Sequence, residues 1–161
     1  MRPDLEDLLQ RAYGYALALA HDPDRAADLV QDACVALLAA DGEWTRGYLF
    51  AAVRSRFIDQ YRRGRLVVME SIDEAPAGWD ASAVDEERLH VEIAALERGL
   101  GLLGREEREV LFLAAVEGYT AREIAAATER PRGTVTSLIY RARRKLLALL
   151  SEDETEALRK P

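Results

Sequence analysis

The sequence predicts an all-α fold: two small helical domains joined by an acidic linker, the second ending in a helix-turn-helix. Three observations carry that prediction. Ala, Leu, Arg and Glu dominate and β-branched residues are few, which is a composition of good helix formers. Apolar residues recur at three- and four-residue steps through most of the chain, the period of a helix with one buried face. Charge falls in blocks. Residues 46–65 hold six arginines against one aspartate, residues 131–150 hold four arginines and one lysine, and residues 66–97 hold nine acidic residues against one arginine. Two basic blocks separated by an acidic one point to two anion-binding surfaces within a chain whose net charge is −7, rather than to one diffuse field.

In chain order, residues 4–20 read as a helix with Leu5, Leu8, Leu9, Ala12, Ala16 and Leu19 on one stripe. His21-Asp22-Pro23 interrupts it, because proline disfavours helix in the residue before it and suits the first turn of the next. A second helix runs from about Pro23 to Ala39, with Ala26, Leu29, Val30, Ala33, Cys34 and Leu37 inward and Asp24, Asp28, Gln31 and Asp32 outward. Asp41-Gly42 signals a turn, and a short loop containing Trp44 leads to Thr45, a candidate N-cap. The third helix, about 46–63, sets Leu49, Phe50, Val53, Phe57 and Tyr61 on one broad face and Ser55, Arg56, Asp59, Arg62 and Arg63 on the other, with Arg54 at the apolar edge. Aromatics beside arginines can grip a phosphate backbone and stack on exposed bases; a solvated basic face would have the same composition.

Gly64, Pro76 and Gly78 then break the helical pattern among acidic residues, which reads as a linker. Another helix is expected from about Glu87 to Leu103, weakened by Gly99 and Gly101 and ended by Gly104. Residues 105–117 form a helix with Val110, Leu111, Leu113, Ala114 and Val116 inward, and Gly118 is placed to stop it. The predicted boundaries are therefore a domain over 1–65, a linker over 66–88, a second domain over 89–151 and a polar, frayed tail over 152–161.

The second domain closes on Gly118–Leu147. Thr120 and Glu123 have capping-box spacing, a short helix follows over 121–128, Glu129-Arg130 make a turn, and Pro131 suits the start of a helix reaching about Leu150. Val135, Leu138, Ile139, Ala142, Leu146 and Leu149 form its inward stripe; Gly133, Ser137, Tyr140, Arg141 and Arg144 lie opposite. A short helix, a turn and a longer helix with small residues at its start and a basic outer face suit a DNA major groove.

Other function classes find little support. No apolar run is long enough to span a bilayer, and the first residues lack the layout of a signal peptide, so a cytoplasmic location is expected. Cys34 stands alone, which leaves no disulfide framework or thiolate metal cluster. His21 and His90 are isolated, and no phosphate-binding glycine loop or paired-carboxylate site is present, so no catalytic role, metal or cofactor is expected.

The motifs resemble those of bacterial RNA polymerase sigma factors of the extracytoplasmic-function group, over nearly the whole chain. Asp28-Leu29-Val30-Gln31-Asp32 is similar to the family segment that binds the coiled coil of the polymerase β′ subunit. The run from Arg54 to Arg63 is similar to the helix that handles the minus-ten promoter element. Leu103 with Arg108-Glu109-Val110-Leu111 resembles the lead-in helix of the second domain. Gly118-Tyr119-Thr120, Glu123-Ile124-Ala125, Gly133-Thr134-Val135, Ser137 and Arg141-Ala142-Arg143 resemble the helix-turn-helix that reads the minus-thirty-five element.

The resemblance implies roles. Arg132, Arg141 and Arg144 would take phosphates, and Thr134, Thr136, Ser137 and Tyr140 would face base edges. Arg54, Arg56, Arg62 and Arg63 would hold the opening duplex, with Trp44 or Tyr48 near an unstacked base. Asp28, Leu29, Gln31 and Asp32 would face the polymerase. The implied partners are core RNA polymerase through its β′ and β subunits, promoter DNA and an anti-sigma factor. The chain departs from the family pattern at Thr136 and Leu138, where a basic residue is usual, and at Tyr140, where histidine is frequent; these departures imply that two contacts of the recognition helix are absent. The loop over 39–47 is also shorter than the family's. Two rival readings follow from the same residues. A sigma-like decoy that sequesters an anti-sigma factor would suit the acidic total. A helix-turn-helix repressor would need a dimer to read two half-sites and leaves the acidic face of the second helix without a role.

Overall fold

The computed structural model describes residues 4–64 and 98–157, and the chain divides into two compact units, Met1–Glu74 and Ala75–Pro161. The described residues are all-α, without a strand. The expected linker over 66–88 and the first part of the helix expected from Glu87 lie outside them.

The first unit holds α1 (Leu5–Ala20), α2 (Pro23–Ala39) and α3 (Arg46–Gly64). Local chemistry sets each boundary. The Asp4 carboxylate accepts the Glu6 N–H, and α1 closes at His21, whose left-handed backbone (φ 50°) directs its N–H to the Leu17 carbonyl. Asp22 then caps α2 by accepting from the Asp24 and Arg25 N–H groups, with Pro23 in the first turn, where its missing N–H would have had no helical partner. Thr45 Oγ1 accepts the Tyr48 N–H at 3.3 Å and so caps α3. The three helices pack pairwise. Alanines Ala12, Ala16, Ala26 and Ala33 are fully buried, and their short side chains let the helix backbones approach. Tyr15 and Phe50 stack at 4.8 Å between ring centroids and fill the space between α1 and α3.

Three assignments along these helices change. Leu5, expected on the buried stripe of α1, is exposed in its first turn, and Tyr15, absent from that stripe, is in the core. Tyr61 lies at the exposed end of the α3 stripe while still stacking beside Phe57 at 6.1 Å.

The second unit holds α4 (Arg105–Ala115), α5 (Ala121–Thr128) and α6 (Arg132–Ala157), preceded by a helical turn over 98–102. α6 packs on both α4 and α5, around Leu103, Val110, Leu113, Ile124, Val135, Leu138 and Ala142. Gly104 starts α4, donating its N–H to Glu107 Oε2 at 2.9 Å. Gly118 takes a left-handed backbone (φ 72°) after α4, and the Tyr119 N–H returns to the Leu113 carbonyl. Gly99 is buried, and a Cβ there would stand 2.6 Å from Leu146 Cδ2. The glycine expected to weaken this helix therefore serves a close approach between it and α6.

Three further expectations are corrected. Val116 is exposed because it follows the last full turn of α4. The tail expected to be frayed over 152–161 is helical as far as Ala157, where α6 ends. The inward side of α4 is not purely apolar: Glu107 and Glu109 are buried on that helix, as is Glu117 just beyond it.

Candidate nucleic-acid interface and partner surface

The helix-turn-helix is built by interlocking local bonds. Thr120 Oγ1 accepts the Glu123 N–H at 3.2 Å while Glu123 Oε2 accepts the Thr120 N–H at 2.7 Å, completing the capping box that the sequence predicts. α5 ends at Thr128, whose hydroxyl donates to the Ile124 carbonyl, and Glu129 turns the chain in the left-handed region (φ 54°). The Val135 N–H donates to the Pro131 carbonyl at 3.1 Å, so proline stands just before the first residue of α6 and no helical donor is lost. Arg130, in the turn, is nearly buried and reaches back to α4, with Nη1 2.8 Å from Glu109 Oε2 and Nη2 3.4 Å from Glu106 Oε1. A buried carboxylate with a guanidinium partner fixes where the turn sits, and the turn fixes where α6 begins.

α6 exposes every one of Arg132, Thr134, Thr136, Ser137, Tyr140, Arg141 and Arg144. The Arg144 guanidinium lies 5.8 Å from the centroid of the Tyr140 ring, close enough for a cation–π contact that holds both side chains on one face. Thr136 Oγ1 donates back to the Arg132 carbonyl at 3.0 Å. Among the described residues no ion pair occupies Arg132, Arg141, Arg143 or Arg144, whereas the Lys145 ammonium is held by Glu107 at 2.8 Å. The open cations of this block are thus its arginines. For Glu107, burial pushes the carboxyl up; the hydrogen bonds from Lys145 and the Gly104 N–H, with the charges of Lys145 and Arg141, outweigh it and hold the group below its ordinary value.

Leu138 is part of the core. The inference that a missing basic residue there removes a DNA contact is therefore corrected, because position 138 does not lie on the open face. Thr136 and Tyr140 do.

In the first unit, Arg56, Arg62 and Arg63 are exposed on α3, and Arg54 is half-buried. Tyr48 is exposed and Trp44 half-buried at the start of the helix. On α2, Asp28, Gln31 and Asp32 are exposed along one side, but Leu29 is fully buried. Leu29 was expected on the polymerase-facing segment; its side chain belongs to the core, and it can only hold its exposed neighbours in place. The sequence reading missed Val35 and Leu38, which are 61% and 68% exposed on the same side of α2. Their spacing held the signal: Val35 is seven residues after Asp28, and Leu38 seven after Gln31, so all four share a helix face. That face combines carboxylates with two exposed aliphatic side chains. Cys34 beside it is half-buried, and burial pushes its thiol pKa up, which disfavours the reactive thiolate.

No described helix is long and apolar enough to cross a membrane.

Comparison with known proteins gives a consistent result. Residues 5–66 match the family model for sigma-70 region 2, and residues 93–146 match that for sigma-70 region 4. The chain is 28% identical to the ECF RNA polymerase sigma factor EcfG of Rhodopseudomonas palustris (strain TIE-1), over 97% of this chain and 88% of that protein. It is 27% identical to the ECF RNA polymerase sigma factor SigE of Mycolicibacterium smegmatis (strain ATCC 700084 / mc(2)155), over 91% of this chain but 60% of that protein. Among solved structures, it resembles the sigma factor RpoE crystallised with the anti-sigma factor NepR from Bartonella quintana, with a TM-score of 0.68 and 28% identity over 91% of this chain and 94% of that one.

Proposed function

The chain belongs to the sigma-70 family, as a sigma factor of the extracytoplasmic-function group, and from that premise we propose that it is a dissociable subunit that gives core RNA polymerase its choice of promoter. It acts by binding, in the cytoplasm where polymerase works, and carries out no covalent chemistry of its own. The observation that supports this most is the pairing of two separate helical units, each with arginines on an open helix face, in a chain whose net charge is −7.

The division of labour follows from the surfaces. Region 2 spans residues 1–65 and region 4 residues 89–151, with 66–88 as the tether. Asp28, Gln31 and Asp32 meet the β′ coiled coil, with Val35 and Leu38 supplying the apolar part of that contact, and region 4 meets the β subunit. Arg54, Arg56, Arg62 and Arg63 hold the minus-ten duplex as it opens, and Trp44 or Tyr48 stacks on an unpaired base. Arg132, Arg141 and Arg144 take phosphates of the minus-thirty-five element, while Thr134, Thr136, Ser137 and Tyr140 face its bases. An anti-sigma factor is the expected regulator, since the similar sigma factor RpoE was crystallised with one.

Run-off transcription with purified core polymerase on a random promoter library tests the reading. Initiation that depends on this chain supports it. Binding to an anti-sigma factor without initiation would identify a decoy, and binding to DNA without polymerase would identify a repressor.

A further inference from the structure

Gly133 is the second residue of α6 and is exposed. It is helical, without the positive φ that would call for glycine, and a Cβ built on it meets nothing within 4 Å. Other glycines of the same unit show what a fold requirement looks like. Gly118 needs its left-handed backbone, and a side chain on Gly99 would strike Leu146. Gly133 has neither reason. A glycine in a helix leaves the unfolded chain more freedom to lose than alanine does, so the fold alone favours alanine at this position.

The position lies on one particular face. Ser137, Tyr140 and Arg144 follow Gly133 by four, seven and eleven residues, and at 3.6 residues per turn all four project to the side opposite Val135, Leu138 and Ala142. In a helix-turn-helix, the first residues of the second helix come nearest the base edges. We propose that Gly133 is a positioning residue for promoter DNA: its bare backbone lets the first turn of α6 sit against the groove, at the depth from which Ser137, Tyr140 and Arg144 reach their targets. A methyl group there would project about 1.5 Å from the backbone and hold the turn off by a comparable distance. Hydrogen bonds are lost over such a displacement. This rests on the reading of α6 as the minus-thirty-five recognition helix.

The test separates fold from function by the sign of two effects. Full-length Gly133→Ala, Gly133→Leu and Arg144→Ala are each assembled with core polymerase and titrated with a promoter duplex that the wild-type holoenzyme has selected from a random library. Gly133→Ala is expected to leave the thermal midpoint of the free chain unchanged or raise it by a few degrees, while weakening promoter binding about tenfold. Gly133→Leu weakens binding further, and scrambling the minus-thirty-five element removes the difference between wild type and both variants. Undiminished binding by Gly133→Ala, with Arg144→Ala impaired, would overturn the role of Gly133 and leave the recognition helix standing. A lower midpoint accompanying weaker binding would also overturn it, by showing a structural need for glycine. If neither Gly133→Ala nor Arg144→Ala alters binding, α6 does not read this DNA and both proposals fall.

Discussion

Arg130 Nη1 stands 2.8 Å from Glu109 Oε2, joining the turn of the helix-turn-helix to a carboxylate in the middle of α4 that has no solvent exposure. An ionised carboxylate in that position is tolerable only while it is paired and hydrogen-bonded. Arg130→Met takes away the charge and keeps most of the stem, leaving Glu109 buried with its remaining partners. The second unit should lose about 3 kcal/mol, the lower end for removing one member of a buried pair. Guanidinium unfolding of the full chain, followed by far-ultraviolet circular dichroism, measures it. A loss below about 1 kcal/mol would mean that Arg130 is no more than a surface pair, and that the turn is fixed by the capping of α5 alone.

The cation–π contact of Arg144 with Tyr140 leads to a prediction about salt. A guanidinium held over a ring is placed before DNA arrives, so less side-chain freedom is lost on binding. If Arg144 contacts a phosphate, Arg144→Ala weakens holoenzyme binding by a similar factor on every promoter sequence, and the slope of log affinity against log salt falls by about one. Arg144→Lys keeps the charge and therefore the slope, while replacing the guanidinium that faces the Tyr140 ring. Titrations across a series of salt concentrations distinguish these. An unaltered slope in Arg144→Ala removes the residue from the backbone contacts.

What the sequence disclosed, and what it hid, divides by range. The helices of the first unit, the cap at Thr45, the capping box of Thr120 and Glu123 and the stop at Gly118 all depend on residues within about one turn of each other, where period and capping chemistry can be read directly. Glu109 with Arg130, and Glu107 with Lys145, pair across 21 and 38 residues. Nothing in a local window separates a buried glutamate of α4 from the solvated Glu106 beside it. Leu29 shows a related difficulty: a helix segment read as a partner motif includes the residue that anchors it, and only three dimensions separate the two roles. Val35 and Leu38 went unread because an aliphatic residue in an amphipathic helix is ordinarily assigned to the core or passed over.

Glu107 gives the second unit a sensitivity to acid. Its pKa is held below the ordinary glutamate value by Lys145 and the Gly104 N–H against the upward push of burial. A carboxyl whose folded pKa is depressed contributes stability above its unfolded value, about 4.3, and that contribution fades as pH drops through the lower folded value. At pH 7, Glu107→Gln should therefore have a lower thermal midpoint than wild type, and the gap should narrow progressively below about pH 4.3. Melting curves from pH 3 to 7 on both proteins would reveal it. A constant gap across that range would assign the effect of the substitution to packing rather than to charge.

The two sides of α2 make opposite predictions for substitutions only three residues apart. Leu29 is fully buried among the helices of the first unit, and Asp32 is exposed on the outer side together with Asp28 and Val35. Leu29→Ala removes buried methyl groups and leaves a cavity, which should destabilise the first unit by about 2–5 kcal/mol. Its affinity for core polymerase, measured where the chain is still folded, should stay close to wild type. Asp32→Arg should change stability by no more than about 0.5 kcal/mol, as surface substitutions usually do, yet weaken binding to core polymerase, because a like charge now faces whatever cation the carboxylate was set against. Val35→Ser should weaken the same interaction through lost apolar contact without a change in its salt dependence. Fluorescence anisotropy of the labelled chain against core enzyme at two salt concentrations resolves all three variants. If Asp32→Arg and Val35→Ser both bind as wild type does, the outer side of α2 is not the polymerase contact, whatever the fate of Leu29→Ala.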